Sequence, residues 1–173
     1  MKNIKQNLEE YISEQDISNR VKEISNEIAS VYCDKNPILI GILNGSFIFL
    51  SDLIRDLNID CEVDFIKISS YIGKKSSGNI GMSKGLELDI KNRSVIIVED
   101  IIDSGKSINY LYDYISNLYP KDIAVISLLA KKSISKLDFN IDFIGFEISS
   151  EFVVGYGLDY NQKLRNLKSI YKL

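Results

Sequence analysis

A chain of 173 residues with a hydrophobic fraction of 45% and a mean hydropathy of −0.01 can bury one substantial core, and it reads as a single soluble domain over residues 1–173. Its net charge of −3 and isoelectric point near 5.1 argue against a nucleic-acid platform. Apolar runs are too short for a bilayer, and the acid-bearing start MKNIKQNLEEY lacks the apolar centre of a signal peptide, so a cytoplasmic protein with no membrane partner is expected.

Ile17, Val21, Ile24, Ile28 and Val31 recur at helical spacing and predict a helix over 16–32, with Ser13-x-x-Asp16 as its capping box. Pro37 ends that region, and ILIGIL (38–43) reads as a buried strand closed by an Asn44-Gly45-Ser46 turn. FIFLSDLIRDL (47–57) places Phe47, Leu50, Leu53, Ile54 and Leu57 on one helical face, and EVDFIKISSY (62–71) is a strand pattern. The stretch IGKKSSGNIGMSKG (72–85) carries four glycines and little to bury, and is expected to be a lid. VIIV (95–98) reads as a strand, and 106–118 as a helix carrying Ile108, Leu111, Tyr112, Ile115 and Leu118. DIAVISLLA (122–130), IDFIGFEI (141–148) and FVVGYG (152–157) are further strands. Strands alternating with helices predict an α/β fold: a mostly parallel twisted sheet flanked by helices, with an appended or antiparallel edge element where the later strands crowd together.

The absence of histidine removes Ser-His-Asp catalysis and most zinc sites, leaving acid–base chemistry to Asp, Glu, Lys or Tyr. Carboxylates without soft ligands favour magnesium if a metal is bound. Cys33 and Cys61 stand far apart in no metal-like spacing and are expected to be reduced thiols.

The densest chemistry lies in VIIVEDIIDSGKS (95–107). Ligands of open α/β sheets bind beyond the carboxyl ends of the strands, so a strand ending at Glu99 brings Glu99, Asp100 and Asp103 to that rim. Ser104-Gly105-Lys106-Ser107 then opens a helix, whose free N–H groups and dipole suit a phosphate. A Walker A loop would need glycine at position 100, where Asp100 stands, and no Rossmann triple glycine is present. Three acids beside a phosphate turn point to a ligand that is phosphate at one end and polyhydroxylated or metal-bound at the other. The plainer alternative is a capped helix start with Asp103 as N-cap; the adjoining Glu99-Asp100 pair weighs against it.

This segment resembles the phosphoribosyl-diphosphate motif of the type I phosphoribosyltransferases. GILNGSFIFLSDL, EVDFIKISSY, SLLAKK, DFIGFEI and FVVGYGLDYNQKLRNL resemble, in order and spacing, the hypoxanthine-guanine branch of that family. The resemblance implies the type I fold, with a small hood from the N- and C-terminal segments. It implies transfer of a phosphoribosyl group from 5-phosphoribosyl 1-diphosphate to a 6-oxopurine, with magnesium as cofactor.

It also implies residue roles. Glu99 and Asp100 would bind the ribose hydroxyls and organise magnesium. Asp103 would be the general base at N7 of the purine, and Asp103, Ser104, Gly105, Lys106 and Ser107 would wrap the 5′-phosphate. Lys131 would reach the 6-oxo group, Phe152 would stack on the base, and the Val153 backbone would touch its edge. Asp159 would bind a second magnesium, Arg165 the diphosphate, and Asn44-Gly45 would form the diphosphate loop. Ser70 and Tyr71 would open the mobile loop. Singly, Phe152 would read as core, Lys131 and Arg165 as surface charges, and Asp159 as turn chemistry; only joint placement favours the functional reading.

Two positions depart from the family. Asn44 stands where lysine is common, leaving the diphosphate to backbone contacts. Ser149-Ser150-Glu151 replaces a stretch that usually holds a proline and a basic residue, which bears on base preference and on the hood. A xanthine-preferring enzyme, or an RNA-binding regulator of the same fold, is the alternative. The regulator would need a basic face at odds with the charge. Hypoxanthine, guanine and xanthine stay unranked, as do homodimer and homotetramer.

Overall fold

In the computed structural model, residues 8–70, 80–132 and 137–173 are described. Ser13 caps helix α1 (Glu14–Tyr32): its Oγ accepts from the Asp16 N–H at 3.1 Å, the first bond of the expected capping box, and the return bond is made by the hydroxyl itself, which donates to Asp16 Oδ2 at 2.6 Å. The helix starts two residues earlier than the periodicity implied. Ile17, Val21, Ile24 and Ile28 are buried as expected, but Val31 is exposed and Tyr32 completes the stripe. Val31 and Tyr32 flank that stripe on opposite sides, and the burial of Ser25 skews it toward Tyr32. Helix α2 (Phe47–Asp56) is also rotated from expectation: Phe49, Leu50 and Leu53 are buried, while Phe47 stands off the stripe and is 43% exposed.

The main sheet contains β2 (Ile38–Leu43), β3 (Glu62–Ser70), β4 (Ile80–Lys84), β5 (Ser94–Ile102), β6 (Asp122–Lys131) and β7 (Phe143–Ile148), in the order β4-β3-β2-β5-β6-β7. All neighbours pair in parallel except β4, which runs antiparallel to β3. The inner strands are apolar on both faces. Leu39, Ile96, Val98, Ala124 and Ile126 meet α1 and α2, whereas Ile38, Ile40, Val95, Ile97 and Val125 meet helix α3 (Lys106–Ser116) through Ile108, Leu111 and Ile115. Strands covered on both sides lose the polar alternation of half-solvated strands, which is why they read as unbroken β-branched runs. Each such side chain contributes about 1.5–3 kcal/mol by leaving water.

A second, small antiparallel sheet joins β1 (Glu9–Ile12), β9 (Ile170–Lys172) and β8 (Val153–Val154), bringing an early and a late segment of the chain together beside the carboxyl end of the main sheet. This is the expected hood. Only two residues of FVVGYG form a strand, because Gly155, Tyr156 and Gly157 all take positive φ and turn the chain away. Of the crowded late segments, 122–131 and 143–148 stay in the main sheet as parallel β6 and β7, β8 goes to the appended sheet, and the antiparallel edge of the main sheet is β4. That strand lies in the stretch assigned to the lid: Met82 packs on the core below α3, an isolated anchor that leaves no periodic signal. Tyr71 and residues 72–79, the rest of the expected lid, lie outside the described residues, and Ser70 ends β3. Among the described residues no helix is long and apolar enough to cross a membrane.

Asp64 fastens this edge. It is buried in β3, and its carboxylate accepts from the Phe65 and Glu87 N–H groups at 2.7 Å and from Leu88 N–H at 2.9 Å, with Lys84 Nζ at 3.5 Å. Burial alone would raise its pKa, but the backbone donors and Lys84 outweigh that and hold it below the usual value. Such a group binds fewer protons folded than unfolded. Its stabilisation is therefore complete above the unfolded carboxyl value of about 3.9 and is lost as pH falls through the lower native value. Asp64→Asn, whose amide turns donors toward donors, is expected to lose about 1–3 kcal/mol at neutral pH. Urea unfolding should show the gap to the wild type narrowing below about pH 3.5.

Candidate active site

The chain leaves β2 for β3 on one side and returns to β5 on the other, so β2 and β5 flank a switch point, the usual ligand crevice of an open α/β sheet. A cleft of about 420 Å³ lies there. Asn44 and Gly45 after β2, Glu99, Asp100, Ile101 and Asp103 at the end of β5, Lys131 at the end of β6, and Phe152, Val153, Asp159 and Arg165 of the hood all line it.

The acids sit deeper than expected, because β5 continues through Ile102, so Glu99 and Asp100 belong to the strand itself. Glu99 is 8% exposed, and its Oε2 has no hydrogen-bond partner among the described residues. Burial first, and the Asp100 charge second, push its pKa well above the carboxylate range. Burial likewise raises Asp100 to about 6, although the Ile101 and Asp100 N–H groups and Arg165 work against it. Gly45 allows this packing: a Cβ there would stand 1.6 Å from Asp100 Oδ2. The diphosphate loop of the sequence analysis therefore rests against the Asp100 carboxylate. The Leu43–Asn44 peptide bond that opens the loop is cis.

The helix start after β5 is capped by Gly105 at φ 79°, a left-handed position that favours glycine, and by no side-chain hydrogen bond among the described residues. Asp103 is therefore not the N-cap. Its carboxylate is ion-paired with Lys131 Nζ at 2.9 Å. Asp103, Ser104, Gly105 and Ser107 line a small cradle of about 100 Å³ at this helix start, and Lys106 is exposed outside its lining.

In the hood, Phe152 is 55% exposed and meets Tyr160 edge-on, with ring centroids 6.1 Å apart. An aromatic left this open beside a cleft has a face to offer, in contrast to the core position its strand pattern suggests. Val153 pairs with Lys172 across β8 and β9. Glu151, also in the lining, accepts from Ser149 Oγ and lies 3.4 Å from Lys172. Asp159 and Arg165, assigned separate ligands by resemblance, face each other at 2.7 Å. Asp159 also accepts from the Gln162 N–H at 2.7 Å, and Arg165 donates to the Gly157 carbonyl at 2.7 Å and to Gln162 Oε1 at 3.1 Å. Among the described residues no three acids, cysteines or histidines converge as a metal cage, so Glu99, Asp100 and Asp159 do not form one cluster.

Sequence reasoning missed the apolar lining, Ile42, Leu43, Ile68, Ile101 and Leu158, and the Gly157 and Gln162 partners of Arg165. Ile101 and Ile68 look like ordinary strand residues, and a backbone carbonyl carries no sequence signal. A second cleft, of about 440 Å³, opens between α1, α2 and the 156–168 segment. Lys168 and Glu14 pair across it at 2.9 Å, and among the described residues it holds no partnerless buried oxygen like that of Glu99. The acid-lined cleft is therefore the candidate site.

The family model described as "Phosphoribosyl transferase domain" matches residues 7–161. A hypoxanthine-guanine phosphoribosyltransferase of Aquifex aeolicus is 44% identical over 162 residues, covering 92% of this chain and 91% of that protein. A hypoxanthine phosphoribosyltransferase of Staphylococcus aureus superposes with a TM-score of 0.91 at 35% identity, over 100% of this chain and 97% of that one. The Trypanosoma cruzi enzyme, solved with the product IMP, has a TM-score of 0.88 and 36% identity over 95% and 92%. The chain belongs to the phosphoribosyl transferase family, and within it to the hypoxanthine-guanine phosphoribosyltransferases. Displacing the Gly45 loop from Asp100 should then impair transfer: Gly45→Ala is expected to remain folded by circular dichroism but to lose activity by about 100-fold, the scale of a misplacement near 1 Å.

Proposed function

We propose that the cleft transfers the 5-phosphoribosyl group of 5-phosphoribosyl 1-diphosphate to N9 of hypoxanthine or guanine, yielding IMP or GMP and diphosphate for purine salvage. The observation that carries this reading is the Lys131–Asp103 ion pair at 2.9 Å. Set side by side, an ammonium and a carboxylate match the edge of a 6-oxopurine, where O6 accepts and a proton on N7 is donated. The base would take over both partners as it enters, with Phe152 stacked on its face.

As the bond from C1′ of the ribose to the diphosphate breaks, N9 supplies the electron pair for the new bond and the N7 proton passes to Asp103. Positive charge grows on the ribose ring over the Glu99–Asp100 carboxylates, and negative charge grows on diphosphate beside Arg165 and the Gly45 loop. The helix start at Gly105 holds the 5′-phosphate by its free N–H groups, with Ser104 and Ser107 adding hydroxyls.

The residues present fit magnesium. Glu99 and Asp100 are hard oxygen donors, one with a partnerless buried atom, and magnesium takes one or two carboxylates with substrate phosphates rather than a protein cage. Bound there, it would neutralise charge on the diphosphate. Asp159, already paired with Arg165, would hold a second ion only by sharing that pair. Glu151 adds a carboxylate to the wall near Phe152, which supports neutral hypoxanthine and guanine over xanthine, the most acidic of the three.

The specificity constants for hypoxanthine and adenine test the assignment. Facing adenine, Lys131 meets an amino group, donor against donor, at a cost of about 1–3 kcal/mol. The wild type should therefore prefer hypoxanthine by at least about tenfold, and Lys131→Ala should erase the preference. Asp103→Asn should lower turnover by about 100- to 10,000-fold while substrate binding changes far less. Equal use of adenine by the wild type would contradict the reading.

A further inference from the structure

Three successive residues, Gly155, Tyr156 and Gly157, have φ of 99°, 49° and 99°. The middle one is a bulky residue in left-handed backbone, a conformation that persists only where the surroundings over-determine it. What holds Tyr156 is plain. Its side chain is buried, its N–H donates to the Leu167 carbonyl at 2.8 Å, and its hydroxyl donates to Asp52 Oδ2 at 2.7 Å. Burial and the carboxylate keep the phenol protonated, as a donor requires.

The two ends of this bond lead to the same place. Asp52 lies on α2, which follows directly from the Asn44–Gly45 loop. Tyr156 precedes Gly157, where a Cβ would stand 2.2 Å from the Gly45 carbonyl and 3.9 Å from the Ile48 Cβ. Gly157 in turn accepts from Arg165 Nη1 at 2.7 Å and donates its N–H to the Arg165 carbonyl at 2.9 Å. The hydroxyl bond is thus a strut joining two distant segments just behind their contact. Neither Asp52 nor Tyr156 lines the acid-lined cleft, so both act through their neighbours.

We propose that Asp52 and Tyr156 are positioning residues for the diphosphate end of the site: their hydrogen bond holds Gly157, and through it Arg165, in register with the Gly45 loop. This rests on the reading of that loop and Arg165 as the diphosphate contact. A purely structural bond would weaken every ligand alike; a positioning bond weakens one end of the cleft.

The variants are Tyr156→Phe, Asp52→Ala, Asp52→Asn and the Tyr156→Phe/Asp52→Ala double variant. Phenylalanine keeps the ring packing, and Asp52 is 41% exposed, so an unpaired carboxylate there returns to water and the fold survives, as thermal melts will register. Calorimetry measures the Kd of inorganic diphosphate with magnesium and of IMP; steady-state kinetics measures both substrate KM values and kcat.

Tyr156→Phe and Asp52→Ala should each raise the diphosphate Kd and the sugar-diphosphate KM by roughly tenfold, the scale of one charge-assisted bond. The IMP Kd and hypoxanthine KM should stay within about twofold, while kcat falls with the weakened hold on the departing diphosphate. Asp52→Asn, whose amide oxygen still accepts, should resemble the wild type, and the double variant should be no weaker than either single one. Uniform losses for all ligands, additive losses in the double variant, an Asp52→Asn as weak as Asp52→Ala, or unchanged diphosphate affinity would each overturn the proposal. A wild type that binds diphosphate but transfers no phosphoribosyl group would sink the functional reading alone, and the calorimetric comparison would still decide the strut. A wild type that binds no diphosphate would overturn both.

Discussion

Glu99 and Asp100 place two carboxylates side by side at the buried end of the central strand, one with an oxygen that lacks any described partner. Such an arrangement raises the free energy of the empty protein, since neighbouring N–H groups and Arg165 offset desolvation and like-charge repulsion only in part. It is tolerable only because the two-sided core around β2, β5 and β6 supplies stability elsewhere. On the proposed function its use would be preorganisation: acceptor oxygens already stripped of water where hydroxyls, a cation and developing positive charge would lie.

The rest of the cleft can be understood from that constraint. Gly45 lacks a side chain because Asp100 occupies the space. The Gly45 loop then meets Gly157, Gly157 orients Arg165, and Arg165 carries positive charge toward the acids while paired with Asp159. At the other end Lys131 neutralises Asp103, so the acid nearest solvent has a partner while the buried pair waits for one. The hood, built from an early and a late segment of the chain, adds Phe152 and Val153 to the lining.

Much of this was legible in the residues. The apolar runs 38–43, 95–98 and 122–130 announced a parallel sheet, since strands covered on both faces have no other composition. The motif from Glu99 to Ser107 pointed to the cleft that its side chains line, and the absence of histidine narrowed the chemistry to be expected there. The extent of β5 was not legible, because carboxylates are poor strand formers until a tertiary environment demands them. Nor was the orientation of α2, where Phe47 and Phe49 are equally apolar and only the neighbouring α1 decides which is buried. Met82 in β4 and Tyr156 in its left-handed turn owe their roles to contacts far away in sequence. Pairings such as Arg165 with Asp159 arise from backbone carbonyls and tight turns, which spacing does not encode.

The central claim is that the carboxylate pair is strained in the empty protein for the sake of its ligand. Thermal unfolding of the wild type and Glu99→Gln, each with and without magnesium and 5-phosphoribosyl 1-diphosphate, addresses it most directly. Replacing the buried carboxyl, whose ionisation burial and Asp100 oppose, should raise the unfolding midpoint of the empty protein, and the ligand pair should stabilise the wild type far more than the variant. A variant that is less stable when empty, yet gains as much from the ligands as the wild type, would contradict the account.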